Sequence, residues 1–133
     1  MDKLEHIGIA VKNMDQANKL FSALLGREKY KVEEVASEGV RTAFFELGGL
    51  KIELLEATSE ASPISKFIEK RGEGIHHLAF EVPDIHKSME YYQTQGFELI
   101  NAAPKKGADN KMICFLHPRS TGGVLIELCQ EIR

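Results

Sequence analysis

The sequence predicts an α+β fold in which two tandem β-α-β-β-β modules form one curved mixed sheet, and three observations carry that prediction. First, His6-Ile7-Gly8-Ile9-Ala10-Val11 returns as His77-Leu78-Ala79-Phe80-Glu81-Val82, a shift of 71 residues. Second, Gly48-Gly49-Leu50-Lys51-Ile52-Glu53-Leu54 returns as Gly122-Gly123-Val124-Leu125-Ile126-Glu127-Leu128, with five matches in seven. Third, a helical pattern follows each histidine motif and precedes each glycine pair, so the order is the same in both halves. Shared composition would not reproduce the order, which is the signature of an internal repeat.

Each element has a local reason. His6–Val11 is a short apolar run that reads as a strand. Ala17, Leu20, Phe21, Leu24 and Leu25 then recur at helical spacing, with Asp15 near the start and Gly26 past the end. Residues 40–47 and 50–54 read as a hairpin turned by Gly48-Gly49. Ser62 and Pro63 open a short helix as N-cap and first helical residue. Ile64, Phe67 and Ile68 form its apolar side, and Gly72 ends it. The second module repeats the scheme with a strand at His77–Val82, a helix marked by Ile85, Met89 and Tyr92 and closed by Gly96, and a strand over 111–117. A turn at Ser120-Thr121-Gly122-Gly123 leads into the last strand. The chain thus reads as one domain over 1–133. Module 1 covers about 1–60, the connector helix about 62–72 and module 2 about 74–133.

Bulk properties narrow the function. Seventeen basic against twenty acidic residues give a net charge of −3, with no basic block suited to a phosphate backbone, so nucleic acid is not the expected partner. The two cysteines, Cys114 and Cys129, sit in apolar strand-like runs, as buried reduced thiols do, and a cytoplasmic location is expected. The N-terminus has no signal-like apolar stretch, and no run approaches the length of a membrane span. A phosphate-cradling glycine loop, a CxxC pair and a nucleophile elbow are all missing from the sequence.

Alternation along the strands selects the candidate chemistry. His6, Gly8 and Ala10 share one face of their strand, and Ile7, Ile9 and Val11 the other. By repeat, His77 and Ala79 take the small-residue face, while His76 sides with Leu78 and Phe80. Glu53 and Glu127 alternate with apolar neighbours in the two last strands. A single His or Glu on a strand face is ordinarily a solvated residue. Duplication changes this reading, because it brings two imidazoles and two carboxylates towards one pseudo-twofold axis, where they can close around a divalent ion. His76, His86 and His117 have no partner of the same type in the repeat and read as surface residues or supports. Tyr91 and Tyr92 read as core or helix-surface residues.

With these residues in place, the chain resembles the vicinal oxygen chelate superfamily, and within it the methylmalonyl-CoA epimerases. The likeness runs through HIGIAV, the IELLE run of Ile52–Glu56, SPISKFIEKRGEGIHHLAFEV and PKKGADNKMICFLHPRSTGGVLIEL. The resemblance implies a cupped sheet around one divalent metal (cobalt, zinc, nickel or manganese) held by His6, Glu53, His77 and Glu127. It also implies an acyl-CoA substrate, a homodimer and no membrane partner. The implied activity is epimerisation of methylmalonyl-CoA through an enolate. Glu127 is the first candidate for proton transfer and Glu53 stands opposite. Thr42 and Lys111 are candidate substrate contacts, and Lys105, Lys106, Lys111 and Arg119 form a basic cluster that could meet CoA phosphates. Two positions depart from the epimerase pattern: Glu53 replaces the glutamine of some members, and Thr42 follows Gly39-Val40 where a proposed base stands. The His-Glu-His-Glu set also resembles bacterial glyoxalase I, although HPRSTGGVLIEL differs from that family's last turn. A ring-cleaving dioxygenase and a non-enzymatic binding or resistance module are the remaining readings.

Overall fold

The computed structural model describes residues 1–132. The chain divides into two compact units, one spanning His6–His76 and the other combining Met1–Glu5 with the residues from His77 onward. The boundaries fall at the two repeat-related histidines. The five N-terminal residues therefore join the second half rather than the first. There the Asp2 N–H donates to the Glu81 carbonyl at 2.9 Å.

The first unit contains most of β1 (Lys3–Ala10), α1 (Met14–Leu25), β2 (Lys31–Val35), β3 (Val40–Leu47), β4 (Leu50–Ala57) and α2 (Pro63–Arg71). Its strands lie in the order β2-β3-β4-β1, with β1 parallel to β4 and the other pairs antiparallel. Gly48 and Gly49 have φ of 58° and 86°, so both central residues of the β3–β4 turn occupy the left-handed region that a tight two-residue hairpin requires. The Asn13 side chain accepts from the Gln16 N–H and starts α1, while Gly26, at φ 67°, ends it. Met14 and Ala17, with Phe21 and Leu25, pack on Ile7, Ile9, Ala43, Phe45, Ile52 and Leu54.

Leu20 and Leu24 correct the expected stripe, for they are 62% and 69% exposed. At 100° per residue they sit roughly 105° and 65° from the centre of the stripe that Met14, Ala17, Phe21 and Leu25 define. On the opposite sheet face, Ala10, Val40 and Leu55 pack with Ile64, Phe67 and Ile68 of α2. This helix begins where Ser62 Oγ accepts the Ile64 N–H and Pro63 takes the first turn. So α2 seals one end of the face that carries His6.

The second unit repeats the plan with most of β5 (Gly74–Glu81), then α3 (Ile85–Thr94), β6 (Lys105–Lys106), β7 (Lys111–Leu116) and β8 (Ile126–Glu131). Its strand order is β5-β8-β7-β6, with β5 parallel to β8. Asp84 caps α3, and Ile85 and Met89 pack on Val82, Cys114, Leu116 and Leu128, joined by Tyr92. The long hairpin differs from its counterpart. His117, expected in the strand, instead caps a 3-10 turn over Pro118–Ser120, its Nδ1 accepting the Arg119 N–H at 3.1 Å. Thr121 Oγ1 donates to the Val124 carbonyl and the Gly123 N–H to that of Pro118, so β8 begins at Ile126, four residues beyond the glycine pair's first member. No helix among the described residues is long and apolar enough to cross a membrane.

Candidate functional site

In the first unit the parallel register sets Gly8 beside Glu53, and the antiparallel one sets Phe44 across from Glu53. His6 lies two residues before Gly8 on the same face. Its Nδ1 stands 3.1 Å from Glu53 Oε2, and both residues are 4% exposed. Glycine opposite the carboxylate leaves room for the pair to meet across the ladder. Both side chains are buried, and α2 closes one end of the face that carries them.

The second unit holds the same arrangement. Ala79 takes the place of Gly8 beside Glu127, and Phe115 takes the place of Phe44. His77 Nε2 stands 3.4 Å from Glu127 Oε1, with both residues at 5% exposure. The Phe115 ring meets His77 edge-on, at 5.9 Å between centroids, which limits how the imidazole can turn. Each half therefore carries one buried imidazole–carboxylate pair at equivalent register positions.

Thr42 is buried on β3, on the face of Phe44 and Glu53. Leu55 lies beside it on β4 and Glu33 on β2. Glu33 is in turn 3.4 Å from Lys31, whose ammonium lies over the Phe44 ring. In the second unit Lys111 is 4% exposed, so it is no surface cation, while Arg119 is held by both carboxylate oxygens of Glu98. Lys105 and Lys106 form β6 and keep partial or full exposure. His86 is exposed as expected. His76, expected as a surface residue or a support, is half-buried: it meets Phe67 edge-on at 5.0 Å, and burial holds its imidazole down at about 4. Burial, reinforced by the Glu127 charge, pushes the Cys114 thiol up to about 12 and raises that of Cys129 as well, so both are inert thiols.

Three features escaped the sequence reading. Glu5 is a buried carboxylate immediately before His6 whose charge acts on Cys129; its signal was an acid in an apolar strand. Glu56 Oε2 accepts the Met14 N–H at 2.8 Å, and Gln130 Oε1 accepts the Ile85 N–H at the same distance. These two acceptors stand three residues beyond Glu53 and Glu127, a repeat visible in sequence but without an obvious partner there.

Comparison with known proteins gives a consistent neighbourhood. The family profile of the glyoxalase/bleomycin resistance protein/dioxygenase superfamily matches residues 5–115. The uncharacterized protein YqjC of Bacillus subtilis is 39% identical over 130 residues, covering 98% of this chain and 93% of that protein. The ethylmalonyl-CoA/methylmalonyl-CoA epimerase of Cereibacter sphaeroides is 37% identical over 130 residues, or 96% of this chain and 97% of that protein. The crystal structure of methylmalonyl-CoA epimerase from Mycobacterium tuberculosis superposes with a TM-score of 0.93 at 35% identity, covering 98% and 88% of the two chains.

Proposed function

Because the chain belongs to the glyoxalase/bleomycin resistance protein/dioxygenase superfamily, we propose that it is a metal-dependent epimerase of methylmalonyl-CoA. The observation that carries this reading is the buried His–Glu pair repeated at the same register position in both halves. The choice of substrate follows the epimerases to which the whole chain is similar.

The donor set fits a divalent ion. A buried carboxylate needs compensating charge, and a neutral imidazole brings none. Two nitrogen and two oxygen donors suit cobalt, zinc, nickel or manganese. The residues that would hold it are His6, Glu53, His77 and Glu127, all within one domain in this reading. When bound, the ion supplies positive charge against the oxygen on which the enolate charge develops.

The chain's own groups carry the proton. The hydrogen between a thioester and a carboxylate is acidic because the resulting anion delocalises onto the thioester oxygen. Inversion requires removing it on one side and returning it on the other. Glu127 takes the proton, and Glu53, its repeat counterpart, delivers one to the opposite side. Burial around both pairs keeps bulk water from quenching the anion. The Thr42 hydroxyl is a hydrogen-bond donor for the substrate on the Glu53 face, and Lys105 and Lys106 meet the CoA phosphates in this reading. A homodimer in the cytoplasm completes this proposal.

A second reading is favoured by Glu53 and Thr42 themselves, since a His-Glu-His-Glu set without a further carboxylate at position 42 also suits isomerisation of a glutathione hemithioacetal. One comparison of pure, metal-loaded protein decides between them. Racemisation of methylmalonyl-CoA at a rate that scales with metal content is the expected result; turnover of methylglyoxal plus glutathione alone would replace epimerase by glyoxalase.

A further inference from the structure

We propose that Lys111 is the recognition group for the free carboxylate of a malonyl-type substrate. The proposal takes its substrate class from the epimerase reading and its geometry from a break in the repeat. In the first unit, the end of the face beyond Thr42 and Glu53 is Ala10, Val40 and Leu55, sealed by Ile64 of α2. The equivalent positions in the second unit are Glu81, Lys111 and Cys129. An apolar seal in one half is thus replaced by a buried cation in the other.

The cation is not matched as a structural pair would be. Lys111 is 4% exposed, and among the described residues its ion-pair partner is Glu131, 3.7 Å away, whose side chain is 57% exposed. Burying an ammonium against a partner that stays in water recovers little of the desolvation cost. Its surroundings point to the site. Lys111, Ile113 and Phe115 share a strand face, as do Glu131, Cys129 and Glu127 across from them. Lys111 and Glu127 thus lie on one face of this unit's sheet, with Ile113 and Cys129 between them. Four residues of strand, about 13 Å, separate the Lys111 and Phe115 backbones, and the lysine stem covers part of that span. An acyl group with its thioester at the Glu127 end can set its carboxylate against Lys111. An ammonium–carboxylate contact in a water-poor site is a strong, charge-assisted hydrogen bond.

The test is binding, read by calorimetry, of methylmalonyl-CoA and of the analogue whose free carboxylate is a carboxamide. Metal-loaded wild type should prefer the carboxylate by about 10- to 100-fold. Lys111→Met should lose that preference while binding the carboxamide as wild type does, and Lys111→Arg should restore part of it. Lys111→Gln serves the same purpose if the methionine variant does not fold. Glu131→Gln should keep the preference, since a merely structural pair would fail equally from either side. Absence of a preference in wild type, or its survival in Lys111→Met, would overturn the assignment. Turnover is measured separately: a wild type that shows the preference but does not racemise the substrate sinks the epimerase reading and leaves Lys111 standing.

Discussion

Glu56 and Gln130 occupy repeat-equivalent positions, and each accepts the first N–H of its unit's main helix at 2.8 Å. Each also stands three residues beyond a candidate ligand, so one strand both presents the carboxylate and pins the helix that packs beneath it. Gln130→Ala should destabilise the protein by about 1 kcal/mol, the usual cost of losing a helix cap. Urea denaturation checks this, with a lowered midpoint and an unchanged slope expected. Glu56→Ala should cost at least as much, because Glu56 also pairs with Arg41 at 2.8 Å.

His76 and His77 are neighbours whose side chains part company, and metal analysis should separate them. His77→Ala is expected to strip the ion and the activity, whereas His76→Ala should retain the ion while giving up its packing on Phe67. A chelator should lower the melting temperature of wild type, since a ligand bound to the native state alone stabilises it, and readdition of the metal should restore it. Full metal occupancy in His77→Ala would remove that residue from the ligand set.

Proton transfer by a carboxylate predicts that turnover in D₂O introduces deuterium at the α-carbon. Glu127→Gln keeps the size of the side chain and an oxygen donor but removes the proton acceptor, so its turnover should fall by roughly 10²–10⁴-fold. Thr42→Val should leave turnover at saturating substrate near that of wild type and raise KM, since Thr42 contacts the substrate without carrying the proton. Metal content must be measured on the same samples, because loss of the ion would also slow the enzyme. Near-normal turnover in metal-loaded Glu127→Gln would shift the role to Glu53.

His76 also makes a pH prediction. Its imidazole titrates at about 4 when folded, against 6.5 as its ordinary value, because burial disfavours the charged form. The unfolded chain therefore binds this proton first as pH falls. Stability present above pH 6.5 is lost progressively down to pH 4, by up to about 3 kcal/mol. His76→Leu should flatten this part of the acid limb, as read from denaturation curves at pH 7 and pH 4.5 with chelator present. Parallel curves for the two proteins would show that His76 does not set the slope.

The sequence by itself determined the modules and the four candidate ligands. Both follow from local rules, the period of two along a strand and the recurrence of His6 at His77 and of Glu53 at Glu127. Helix ends at Gly26 and Gly72 were equally legible, since capping and backbone freedom depend on a few adjacent residues. What only the tertiary structure decided was depth and partnership. Leu20 and Leu24 fit a helical period yet face outward, because Met14 and Ala17 had already set which side of α1 meets the sheet. His76 and Lys111 carry no mark of burial in the sequence, yet His76 packs edge-on against Phe67 and Lys111 is 4% exposed. Burial is a sum over distant segments, and the spacing of side chains along one strand cannot report what another segment lays on top of it.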